Sequence, residues 1–116
     1  MYFALVLQPE RLECTYGDVP NVGYESTDAA EVFELEEGDW DLLDRDFVDA
    51  AFEACGALLD YGDVDYVDAS RCARLQSWLQ LRLENPCSPR LRLLYEKLLE
   101  FSRRAQQLGT GVVIEL

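Results

Sequence analysis

Residues 88–116, SPRLRLLYEKLLEFSRRAQQLGTGVVIEL, decide the fold. Ser88 is a helix-capping residue, and Pro89 suits the first helical position, where a missing N–H leaves nothing unsatisfied. Gly109 suits the left-handed residue just past a helix end. Between these marks Leu91, Leu94, Tyr95, Leu98, Phe101, Ala105 and Leu108 recur at helical spacing as one broad apolar stripe. Only Thr110 and Gly111 intervene before Val112, Val113 and Ile114. The spacing therefore predicts a long helix that turns back tightly into a buried strand over 111–116.

That strand needs a neighbour, and the apolar run over 2–8 (Tyr-Phe-Ala-Leu-Val-Leu-Gln), ended by Pro9, is the natural one. Further short strands are expected at 31–35 and near 12–16, within a region punctuated by Gly17, Pro20, Asn21, Gly23 and Gly38. From Asp39 the period becomes helical. Leu43, Phe47, Ala50, Ala51, Ala54 and Leu58 predict a helix over about 40–60, halted by Tyr61, Gly62 and Asp63. A second begins near Asp68 or Ser70, aligns Cys72, Leu75, Leu79 and Leu83, and stops at Asn85 and Pro86. The expected architecture is a single α+β domain over 1–116, with three helices on one face of a small mixed or antiparallel sheet containing the N- and C-terminal strands; an all-helical bundle with a frayed N-terminus is the alternative.

Composition narrows the chemistry. The chain of 116 residues has 23 acids, 10 bases and no histidine, for a net charge of −13. The missing histidine excludes Ser-His-Asp and Cys-His catalysis and His-ligated metals. The net charge argues against direct contact with nucleic acid or an anionic membrane, and points to basic partners. Cys14, Cys55, Cys72 and Cys87 are too widely spaced for a zinc knuckle, and Cys55 and Cys72 fall on apolar helix faces as reduced, packed thiols. Met1 to Leu7 lacks a basic leader, and no segment reaches the length of a membrane span, so a cytoplasmic location is expected.

The charge is segregated. Before position 71 stand 19 acids and two bases, Arg11 and Arg45; after Ser70 stand four acids and eight bases. Between Glu31 and Asp68, Arg45 is the sole counter-charge to fourteen carboxylates. On a helical wheel Asp46, Asp49 and Glu53 share a stripe facing away from Phe47, Ala51, Ala54 and Leu58. Asp39 and Asp41 sit at the helix start, and Asp60, Asp63, Asp65 and Asp68 extend the acids through the connecting loop. Trp40, Tyr61 and Tyr66 are interleaved with them, the composition of an interface anchor. Some acids are expected to pair with Arg71, Arg74, Arg82, Arg90 and Arg92. Eight bases cannot neutralise 19 acids, so an exposed anionic ridge is expected to remain.

No cofactor or metal motif accompanies the ridge. Counted from Asp60 or Asp63, the segment 60–68 misplaces the glycine and the glutamate that a calcium loop needs. Gly109, Thr110 and Gly111 are too few to cradle a phosphate and precede a strand, without a lysine. Lys97, beside Glu96 and Glu100, reads as an ion-paired side chain. A non-enzymatic binding protein is expected.

The run Leu58-Leu59-Asp60-Tyr61-Gly62-Asp63-Val64-Asp65-Tyr66 before a helix, then Leu94-Tyr95-Glu96-Lys97-Leu98-Leu99 leading to Gly109-Thr110-Gly111-Val112-Val113-Ile114, resembles a small acidic bacterial immunity protein of a polymorphic or contact-dependent toxin system. The resemblance implies a cytoplasmic protein that binds one cognate toxin, often a basic nuclease, and blocks its active site or substrate groove. A phage-type inhibitor that imitates nucleic acid, such as an anti-CRISPR or anti-restriction protein, would present the same ridge to several basic targets. An acidic structural adaptor is the third expectation.

Overall fold

The two apolar runs at the chain ends become the central strands of an antiparallel sheet. A computed structural model describes residues 1–116, save the side chains of Thr15 and Tyr16. Strands β1 (Tyr2–Val6), β2 (Cys14–Tyr16), β3 (Val19–Pro20) and β4 (Ala30–Glu34) come first, followed by helices α1 (Asp39–Asp46) and α2 (Val48–Cys55), strand β5 (Val64–Asp68), helices α3 (Ala69–Leu83) and α4 (Pro89–Leu108), and strand β6 (Gly111–Glu115). The main sheet runs β4-β1-β6-β5, and β2 and β3 form a separate ribbon. In β1, Phe3 faces Phe33 and Ile114 across the sheet, and Ala4 faces Val32 and Val113. Odd and even residues therefore serve different faces.

Phe3, Leu5, Val67, Val112 and Ile114 join the core beneath the helices, with Leu43, Phe47, Leu75, Leu94, Tyr95, Leu98 and Phe101. Tyr2, Ala4, Val6 and Val113 lie on the other face, where Val19 and Val22 cover them. Because both faces of the central strands are covered, β1 reads as an unbroken apolar run rather than an alternation. The sheet edges are partly blocked as well. Ser26 exchanges hydrogen bonds with the N–H and C=O of Val32 on β4, while on β5 the Tyr66 N–H donates to Asp65 and its carbonyl accepts from Arg71.

The long C-terminal helix forms as its punctuation requires. Ser88 Oγ accepts the Leu91 N–H at 3.2 Å, and Gly109 takes the left-handed conformation at φ +69°. The tight return to β6 is fixed by buried Thr110, whose hydroxyl donates to the Val6 carbonyl at 2.7 Å. Asp68 caps α3, accepting from the Arg71 N–H at 3.0 Å and the Ser70 hydroxyl at 2.9 Å.

Four expectations change, the first being that Val64–Asp68, expected within the connecting loop, forms strand β5. Among the described residues there are four α-helices rather than three, because the periodic run after Asp39 breaks at Phe47 and ends at Cys55 rather than near 60. Gly56, at φ +72°, turns the chain away, so Leu58 is 65 % exposed instead of lying on a core stripe. Leu108, placed on the α4 stripe, is half exposed. Among the described residues, no helix is long and apolar enough to cross a membrane.

Candidate functional site: an acidic groove with an apolar floor

The break that divides α1 from α2 also divides the acids. Asp46, at the end of α1, accepts two hydrogen bonds from the Arg82 guanidinium at 2.9 and 3.1 Å and a third from the Tyr95 hydroxyl at 2.5 Å. Burial pushes its carboxyl up, but the bonds from Arg82 and Tyr95 outweigh that and hold it below the usual range. It is therefore tied to α3 and α4 and does not share a free stripe with Asp49 and Glu53. Asp39 is buried, held by Arg90 and accepting the Glu36 N–H at 2.7 Å. Asp65 points from β5 toward the helices and pairs with Arg71 at 3.1 Å. Tyr66, next along the strand, packs into the cluster beneath the ribbon, on the opposite face. Asp68 remains exposed as the α3 cap, its carboxyl lowered first by the Arg71 N–H.

The remaining acids converge. Asp44, Asp49, Glu53, Asp60 and Asp63 line an open groove of about 530 Å³ together with Val48, Phe52, Ala57, Leu58 and Leu59. None of those five carboxylates is ion-paired among the described residues. Local rules explain the wall. After Gly56 the segment alternates, with Ala57 and Leu59 buried and Leu58 turned out. The Leu58 N–H donates to Asp65 at 3.0 Å, and Arg71, which grips Asp65, also donates to the Cys55 carbonyl at 2.8 Å. One guanidinium thus ties the end of α2 to β5 and fixes the groove floor.

The opposite rim is the turn 60–63. Asp63 N–H donates to the Asp60 carbonyl at 2.9 Å, and the Gly62 N–H donates to the Leu116 carbonyl at 2.7 Å, anchoring the turn beyond β6. Tyr61, 72 % exposed, crosses edge-on against partly buried Trp40, ring centres 5.4 Å apart. Asp41 is exposed on α1, one turn from Asp44.

Phe52 and Leu58 are the parts the charge reading missed. Phe52 is 55 % exposed within the groove, and Leu58 more so. An aromatic interrupting the acids of α2 was the available signal for Phe52. For Leu58 there was none, since its exposure depends on where α2 ends. Chemically, the groove offers unneutralised charge for steering and register around an apolar strip whose burial favours a close partner.

Among the described residues, no three carboxylates or thiols converge as metal ligands would. Cys55 and Cys72 are buried free thiols, and burial pushes the Cys72 thiol up to about 12, away from nucleophilic form. Comparison with protein-family models, curated proteins and solved structures gives no match.

Proposed function

We propose that this protein is a non-enzymatic acidic inhibitor that neutralises one cognate basic toxin, a nuclease in the favoured form, by covering its active site or substrate groove. One observation carries the reading: five carboxylates without ion-pair partners among the described residues frame a groove floored by exposed Phe52 and Leu58. A cationic protein surface matches the rim, and an apolar side chain of that partner matches the floor. The floor also favours a single protein partner over nucleic-acid mimicry, because carboxylates that stand in for phosphates need no exposed phenylalanine or leucine between them.

A basic toxin domain encoded beside this gene would be the partner to test. With Asp49→Asn, Glu53→Gln and Asp60→Asn combined, association with that toxin is expected to slow by about tenfold or more at low salt. The dependence on salt should flatten and protection of nuclease substrate should fall. Unchanged association and an unchanged salt slope would remove the groove as the interface. If the wild-type protein left the nuclease fully active, inhibition itself would be ruled out.

A further inference from the structure

A second pocket lies on the ribbon face of the sheet, behind the turn that rims the acidic groove. Tyr2, Glu115 and Val64 are cross-strand neighbours on β1, β6 and β5, so their side chains share that face. With Asn21, Gly23 and Tyr24 of the segment after β3, they enclose about 300 Å³. Tyr24 stands edge-on to Tyr2, ring centres 5.9 Å apart, and is 73 % exposed, an aromatic wall held out into solvent. Tyr2 is buried behind it. Burial foremost, then the neighbouring Glu115 carboxylate, pushes its phenol above the usual range, so it stays neutral and keeps its proton. Glu115 supplies the charge. Its cationic neighbour is the Met1 ammonium at 3.9 Å, too distant for a hydrogen bond.

We propose that the pocket of Tyr2, Tyr24 and Glu115 receives the guanidinium group of arginine. An aromatic face beside a carboxylate suits a planar cation that stacks on one and forks to the other, which guanidinium does better than ammonium. Free arginine and an amide-capped arginine residue are both net cations at neutral pH, so a net charge of −13 attracts either, and the test separates the two sources. This inference is independent of the groove: Gly62 and Val64 contribute to this pocket, whereas Asp60 and Asp63 line the other.

The test titrates the full chain with N-acetyl-arginine amide, its neutral near-isostere N-acetyl-citrulline amide, and free arginine, following the Tyr2 and Tyr24 ring resonances by NMR. The capped arginine is expected to shift both rings saturably, and the citrulline compound to leave them in place. Tyr24→Ala and Glu115→Gln should each weaken the capped probe by roughly 2- to 30-fold, while Glu53→Gln in the groove leaves it unchanged. Absence of a saturable shift, equal shifts with citrulline, or undiminished binding by Tyr24→Ala would overturn the site. Tighter binding of the capped form assigns the guanidinium to a polypeptide, and tighter binding of free arginine to the amino acid itself. Should Glu115→Gln fail to fold, Tyr24→Ala, at an exposed position, carries the test.

Discussion

Arg90, in the first turn of α4, closes a two-pronged hydrogen bond on the buried carboxylate of Asp39, Nε to Oδ1 at 3.0 Å and Nη2 to Oδ2 at 2.7 Å. It fastens the start of α1 to α4, far apart in sequence. Removing the guanidinium leaves a buried carboxylate without its cation, so Arg90→Ala should lower stability by about 3 kcal/mol. Arg90→Lys keeps the charge, loses the fork, and should lie in between. Urea unfolding at neutral pH measures both. A loss below 0.5 kcal/mol for the alanine variant would mean that the pair contributes little.

Acid should unfold the protein through the same ties. The Arg90 hydrogen bonds hold the Asp39 carboxyl below its ordinary value of 3.8; Asp46 is held below it by Arg82 and Tyr95 against the opposing effect of burial, and Asp68 by the Arg71 N–H. A carboxyl lowered by folding contributes its full stabilisation above the unfolded value and loses it as pH falls through the folded one. Stability should therefore decline below about pH 4. Asp39→Asn, already destabilised at pH 7, should decline less steeply, so the gap to the wild type narrows at pH 2.5. Chemical denaturation at the two pH values checks the convergence.

Where the sequence could be read, local chemistry and tertiary structure agreed. Ser88, Pro89 and Gly109 bound α4 as expected, and the apolar runs at the chain ends pair as β1 and β6. The helix break at Phe47 was hidden because Leu43, Phe47 and Ala51 stay buried on both sides of it, leaving the apolar period intact. Strand β5 was hidden differently. Val64, Asp65, Tyr66, Val67 and Asp68 read as an acidic loop, and they become a strand only because β6 pairs with them and Arg71 holds Asp65. The same cause limited the site: Asp39, Asp46 and Asp65 are acidic in sequence, yet each has an arginine from a distant or neighbouring element, and no spacing rule announces those partners.

The seam between β5 and β6 gives a sharper stability test. A Cβ on Gly111 would collide with the Val67 carbonyl oxygen and lie 2.6 and 2.7 Å from two Tyr66 ring atoms. The carbonyl belongs to the paired strand and cannot step aside cheaply. Gly111→Ala should cost about 3 kcal/mol as an overpacked site. Gly109→Ala meets no neighbouring atom and suffers only from its φ of +69°, for about 1 kcal/mol. Thermal or urea unfolding should rank Gly111→Ala as the worse; the reverse order would show that backbone strain, not contact, governs this turn.

The groove acids should weaken the fold that carries them. Glu53 lies in the last turn of α2, where the helix dipole disfavours an anion, and one helical turn from Asp49, a like charge. Glu53→Gln should therefore raise stability by roughly 0.5 kcal/mol, with the gain shrinking in high salt as the repulsion is screened. The same change should weaken binding to a cationic partner. Phe52→Ala should do something different: leave stability within about 0.5 kcal/mol, since the side chain is already exposed, yet cost binding at least 1 kcal/mol if Phe52 is an anchor. Paired measurements of unfolding and of binding to the proposed cationic partner across salt separate the two effects. A Glu53→Gln variant that is less stable, or a Phe52→Ala variant that binds unchanged, would show the groove to be ordinary surface.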